Sequence, residues 1–211
     1  MRTSTILQRS LPALLVANLT VFALAGCKSN KSECCTTETA KPTAASASAT
    51  AAPVKAAEPK PVRPAIRIKA GSTGFTDTSG NAWLPDQGFA DGEVIERPDL
   101  AIANTKDPAI YRAERYSMTS FSHALPNGKY IVKLHFAETY EGITAAGERV
   151  FSFNVEGQEF KDFDVFVKAG GVQKAYVETV KVDVTDGKLD IKFTPNIENP
   201  EINGIEIIPG S

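Results

Sequence analysis

From Ile66 onward, apolar and polar residues alternate with a period of two, and the runs are separated by glycine-bearing turns. Successive side chains of an extended strand leave opposite faces, so this pattern buries one face and wets the other. Tyr130, Val132, Leu134 and Phe136 share a face, with Lys133 and His135 on the solvated side. Phe151, Phe153 and Val155 repeat the pattern, as do Val180, Val182 and Val184, and then Leu189, Ile191 and Phe193. Ile66 to Ala70 alternates and stops at Gly71, and Ile202 to Ile208 reads as the closing strand. Pro126-Asn127-Gly128-Lys129, Glu156-Gly157-Gln158 and Asp186-Gly187-Lys188 each set a glycine where a hairpin turn needs positive φ. No long stretch repeats every 3.6 residues, and no strand–helix–strand rhythm is present. The expected fold is all-β, a two-sheet antiparallel β-sandwich with little helix. Gly71 to Asp107 is less regular and predicts long loops, with a short hairpin at Ser79-Gly80-Asn81.

Composition divides the chain near Pro64. The first 64 residues carry 8 Lys/Arg against 3 Asp/Glu, and the remainder 15 against 22, giving +5 and −7 within an overall −2. Nearly all the Phe and Tyr follow Pro64, so residues 65–211 are the expected domain, long enough for a single core. A domain with this acidic excess and no basic stripe does not suit nucleic acid, whose phosphates require Lys/Arg.

The first 26 residues read as an export signal: Arg2 and Arg9, then an apolar run from Leu11 to Leu24 too short for a comfortable membrane span. Leu24-Ala25-Gly26-Cys27 resembles the bacterial lipobox, which implies cleavage before Cys27 and acylation of its sulfur. Several acyl chains would anchor the protein to the cell envelope, at about 0.8 kcal/mol per buried CH₂. Lys28 rather than Asp follows, which implies the outer membrane if the host is Gram-negative. Residues 27–64 are Ala/Pro-rich and lack the apolar content to order themselves, so they are expected to form a disordered linker reaching roughly 110 Å when extended. Cys34 and Cys35 lie in this linker, open to pairing with another chain, to further acylation or to no role at all. The domain has no cysteine.

Catalytic motifs are missing: no Gly-x-Ser-x-Gly elbow, no phosphate loop and no His-Glu-x-x-His. The expectation is a protein that is not an enzyme and takes no cofactor and no metal. Glu138 with Glu141, or Asp162 with Asp164, could supply a glycosidase pair, but acids are abundant enough for such pairs to arise by chance. Asp77-Thr78-Ser79-Gly80-Asn81 could be half a calcium loop but lacks the later bidentate acid, so a turn is favoured. Sugar rings present apolar faces rimmed by hydroxyls, which aromatic and carboxylate side chains recognise together. Tyr116 and Tyr140 fall at run boundaries beside acids, whereas Tyr111 and Phe136 read as core.

At these residues the chain resembles the malectin domain family. The matching stretches are Ile110-Tyr111-x-x-Glu114-Arg115-Tyr116, Lys133-x-His135-Phe136-Ala137-Glu138-Thr139-Tyr140 and Arg149-Val150-Phe151. Asp162-Phe163-Asp164-Val165-Phe166 and Glu198-Asn199-Pro200-Glu201-Ile202-x-Gly204-Ile205-Glu206-Ile207 complete them, and together they span Ile66 to Pro209. The resemblance implies a jelly-roll sandwich that binds carbohydrate, of which glucose-containing oligosaccharides are the founding type. It also implies frequent company with glycoside hydrolases or surface proteins. The carbohydrate-binding set it implies here is Tyr116, Tyr140, Glu141 and Glu198, with Gly71 at the first strand's end. Glu141 stands where the family has an aromatic and Glu198 where it has Asp. The early aromatic has no match between Gly88 and Leu100, though Trp83 or Phe89 could substitute. A structural or protein-interaction role without sugar binding is the alternative reading.

Overall fold

A computed structural model describes residues 63–210. The signal sequence, Cys27, Cys34, Cys35 and the linker fall outside the described residues. Twelve strands are present, and every pairing between them is antiparallel. They are β1 (Ile66–Lys69), β2 (Phe75–Thr76), β3 (Ala82–Trp83), β4 (Phe89–Glu96), β5 (Ala113–Ala124) and β6 (Gly128–Phe136). The second half contributes β7 (Val150–Val155), β8 (Gln158–Phe163), β9 (Tyr176–Val184), β10 (Lys188–Ile197), β11 (Glu201–Ile202) and β12 (Gly204–Pro209). One sheet runs β1-β12-β6-β9, the other β11-β5-β10-β7-β8 with β4 on the far edge of β5, and β2-β3 is a separate hairpin. Among the described residues helix is confined to α1 (Val165–Ala169) and one 3-10 turn at Pro108–Ile110. The expected all-β sandwich is what forms.

The core lies where the alternation places it. Val132, Leu134 and Phe136 of β6, Val180 and Val182 of β9, and Ile205 and Ile207 of β12 face Phe151 and Phe153 of β7, Leu189 and Ile191 of β10, and Phe121 of β5. Tilted or edge-to-face ring pairs join Phe136, Phe151, Phe153 and Phe163, with centroids 5.0–6.2 Å apart.

Three expectations are corrected. The region from Gly71 to Asp107 is not only loops and a hairpin, because β4 pairs with β5 along most of its length. A bulge at Ala90/Asp91, with Asp91 and Gly92 both at positive φ, breaks its alternation and imitates a turn. The closing strand is two strands: β11 belongs to one sheet and β12 to the other, and Asn203 makes the crossing. Asn203 is buried and bonded to β6, β5 and their neighbours. Its N donates to the His135 carbonyl, its Oδ1 accepts from Ala137 N at 2.6 Å, and its Nδ2 donates to the Ala113 carbonyl at 3.0 Å.

His135 is not solvated either. The segment before β5 folds Trp83 and Tyr111 over this end of the sheet's outer face, which buries the imidazole. Its Nδ1 meets the Tyr111 hydroxyl at 2.9 Å and its Nε2 meets Glu206 at 3.0 Å. The Asp77 segment is the favoured turn, joining β2 to β3. The Asp77 carboxylate accepts from Ser79 N, Asn81 N and Trp83 Nε1. Burial is the largest single influence and would raise its pKa, but these donors together with the Asn81 side chain outweigh it and pull the pKa down.

Candidate binding site

The site begins with three residues that share a face. Ile95 of β4 pairs in register with Glu114 of β5, and Glu93 of β4 and Glu201 of β11 both pair with Tyr116. Directly opposed residues on antiparallel strands project to the same side. Ile95, Glu114 and Tyr116 therefore present one surface, and Glu201 lies beside it. Ser117, at positive φ within β5, donates its N to the Pro200 carbonyl at 2.9 Å, which holds the β10–β11 loop against the strand.

Loops close a pocket of about 250 Å³ over this surface, with Arg97, Tyr140, Arg149, Glu198 and Asn199 completing its lining. Tyr140 stands 48% exposed on the loop after β6. The Tyr116 hydroxyl donates to Glu93 at 2.9 Å, and that bond raises the phenol's pKa. Glu198 sits at positive φ and accepts from Asn199 N and Nδ2, so its carboxylate is folded back on its own loop.

Beneath the pocket lies a layer of buried acids with an arginine. Glu114, Glu138, Arg149 and Glu201 are 2%, 0%, 4% and 0% exposed. Arg97 reaches Glu114 at 3.3 Å and donates to the Thr139 hydroxyl at 2.9 Å, and that hydroxyl donates to Glu114. Arg149 Nε donates to Glu138 at 2.7 Å, and its Nη1 donates to the Asn199 carbonyl. Burial pushes the Glu138 carboxyl up and outweighs the pull of Arg149. Both side-chain oxygens of Glu201 are buried without a hydrogen-bond partner.

The structure gathers Tyr116, Tyr140 and Glu198 around one pocket. Glu141 is exposed and lines a neighbouring cleft of about 300 Å³, with Tyr140 as the shared wall. Gly71 lines neither cleft. It lies under β5 at φ 74°, where a Cβ would fall 2.3 Å from the Glu114 carbonyl oxygen, so it supports the floor from behind. Trp83 and Phe89 do not substitute for the early aromatic: Trp83 is buried against His135, and Phe89 packs on Phe121. Ile95 and Arg97 occupy that side instead, without any signal in the sequence. Glu114, Arg149 and Asn199 lay within the matched stretches but offered nothing to mark them as lining.

The proposed carboxylate pairs are engaged elsewhere. Glu138 is held by Arg149, and Asp164 caps α1, accepting from Val167 N at 3.0 Å and from Gly147 N at 2.7 Å. Among the described residues no group of three or more His, Cys, Asp or Glu is placed to hold a metal.

A small antiparallel β-sandwich with a pocket walled by tyrosines over buried acids and an arginine places the chain in the class of malectin-type β-sandwich modules. The malectin domain family model matches residues 65–205, and the chain belongs to that family. A probable leucine-rich repeat receptor-like serine/threonine-protein kinase of Arabidopsis thaliana is 38% identical over 104 residues, covering 45% of this chain and 10% of the kinase. Receptor-like protein 4 of the same plant is 38% identical over 84 residues, covering 39% of this chain and 13% of that protein. The matches thus span only about a tenth of these relatives' lengths. Among solved structures, a Bacteroides uniformis beta-glucuronidase superposes with a TM-score of 0.64 at 21% identity, covering 70% of this chain and 18% of the enzyme. The plant receptor-like kinase FER superposes at 0.59 with 22% identity, covering 68% and 48%. These likenesses show the fold.

Proposed function

We propose that this chain is a carbohydrate-binding module displayed on a bacterial cell envelope by an acylated Cys27 and the linker that follows it. The observation that carries the reading is the convergence of Tyr116, Tyr140 and Glu198 on one pocket. Two phenol rings offer surfaces for apolar sugar faces, and Glu198, Asn199 and Arg97 offer hydroxyl partners. The pocket's volume suits a short stretch of an oligosaccharide, with glucose-containing chains the first to test. No step of catalysis is assigned, since the best-placed acids are committed to arginines. A glycoside hydrolase acting nearby would be a natural companion, and the beta-glucuronidases show this fold as a small part of such an enzyme.

Glycan-array binding of the full chain, with Tyr116→Ala and Tyr140→Ala alongside, tests the reading. Saturable binding that both variants lose supports it, and equal binding by both variants removes the site assignment. The anchor is tested by Cys27→Ser, which should release the protein from the membrane fraction.

A second reading has its own support. Glu141 replaces an aromatic and faces the adjoining cleft, so the aromatic wall is incomplete. One solved complex of this fold, at 20% identity, is of the plant peptide RALF23 with FER and LLG2. A blank glycan array together with a crosslinked protein partner would favour a protein-interaction role.

A further inference from the structure

We propose that Glu201 is an uncharged carboxylic acid buried beneath the pocket, and that the pocket floor rearranges when this acid ionises. The inference deepens the binding-module reading by naming how its site is regulated, and it rests on that reading for what the pocket is for.

The argument begins with charge balance. Glu201 on β11 is faced by Glu114 from β5, Glu138 from the β6–β7 loop, Arg149 at the start of β7 and Arg97 after β4. Arg97 is paired with Glu114 and Arg149 with Glu138, so the two cations are already matched one for one. A third carboxylate would leave an unbalanced negative charge in a site shut off from water, where such a charge is costly. Neither oxygen of Glu201 has a donor to stabilise it, whereas Glu138 has two and Glu114 has two. An acid in that setting keeps its proton. The direction of its titration agrees: burial, then repulsion from Glu114 and Glu138, holds the carboxyl well above the usual range against the pull of Arg149 and Arg97.

The link to the pocket runs through Arg149. That guanidinium holds Glu138 with Nε and the Asn199 carbonyl with Nη1, and it lies 6.0 Å from the centre of the Tyr140 ring. It therefore fixes the tyrosine wall and the Glu198–Asn199 rim at once. An ionised Glu201 would compete for Arg149 and draw it from these partners. The folded-state pKa is raised, so the ordered floor is present at low pH and is lost as pH rises through that value.

Carboxyl, guanidinium and ring resonances of the isotope-labelled full chain, followed against pH, test this without a sugar. The Glu201 carboxyl carbon should titrate above the ordinary carboxylate value of about 4.3. The Arg149 Nε and Tyr140 ring signals should move with the same midpoint. In Glu201→Gln both signals should lose the movement at that midpoint. Titration of Glu201 in the ordinary range overturns the proposal, as does an identical movement of Arg149 and Tyr140 in the Gln variant. Should that variant fail to fold, the wild-type titration decides alone. A blank glycan array would refute the carbohydrate reading and leave this result standing.

Discussion

The Arg149 guanidinium lies 6.0 Å from the centre of the Tyr140 ring while its Nε donates to Glu138 at 2.7 Å, so one cation braces the pocket wall and neutralises a buried acid. Removing it strands the acid. Arg149→Met should lower the unfolding free energy by about 3–5 kcal/mol, and Glu138→Gln in the same chain should restore part of the loss. Urea unfolding of the wild type and these two variants measures both. A loss below about 1 kcal/mol would mean that water reaches the pair.

Gly142 offers a way to move the pocket wall without unfolding the domain. A Cβ at this position would fall 2.5 Å from the Tyr140 ring edge, and Gly142 does not sit at positive φ. Gly142→Ala therefore suits the backbone and displaces only an exposed ring. Stability should stay within about 1 kcal/mol of wild type while retention on any glycan bound by the parent falls. A thermal melt beside the binding assay separates the two effects.

Gly71 and Gly80 both lie at positive φ, but only Gly71 is enclosed. An alanine at Gly80 meets nothing within 4 Å and should cost about 1 kcal/mol of backbone strain. At Gly71 the same change adds a clash with the Glu114 backbone, for an expected loss of about 2 kcal/mol or more. Equal losses for the two variants would show that β5 yields freely.

Lys69 supplies a pH dependence. Its Nζ is buried and donates to the carbonyls of Ala70 and Ala113, both at 2.9 Å. Burial pulls its pKa down to about 7, against Glu96, Asp86 and Glu114, which favour the charge. An unfolded lysine holds its proton to about pH 10.4, so above pH 7 the unfolded chain is the more protonated state and stability rises with pH. The gain should be about 2 kcal/mol between pH 7 and about pH 9, flat below that window, and absent in Lys69→Met. Equal slopes in the two proteins would show that Lys69 stays charged when folded.

The parts of the fold that could be read in advance are cleanly alternating strands. Of the three glycine turns between them, only Glu156-Gly157 joins a hairpin, β7 with β8, and the Asn127-Gly128 and Asp186-Gly187 turns carry the chain from one sheet to the other. β9 and β10 alternate cleanly around Asp186-Gly187, and Phe151, Phe153 and Val155 do so before the Glu156-Gly157 turn. β4 escaped because Asp91-Gly92 in mid-strand carries the composition of a turn. Tyr116 and Tyr140 stand out in the sequence as aromatics beside acids and line one pocket, although Tyr116 lies within β5 rather than at its end. The charged floor was hidden for a physical reason. Glu114, Glu138 and Arg149 occupy positions where alternation or a loop predicts solvent, and only the tertiary closure of three loops removes that solvent. His135 was misread in the same way.

The crossing at Asn203 places the floor and the rim under different rules. Glu201 lies two residues from the point where both sheets are fastened together, so altering the floor means disturbing the closure of the sandwich. Glu141, Glu198 and Asn199 are exposed positions on loops outside the strand ladders. Descendants of such a chain are free to trade one ligand for another by editing a handful of rim positions, while the foundation is inherited almost intact.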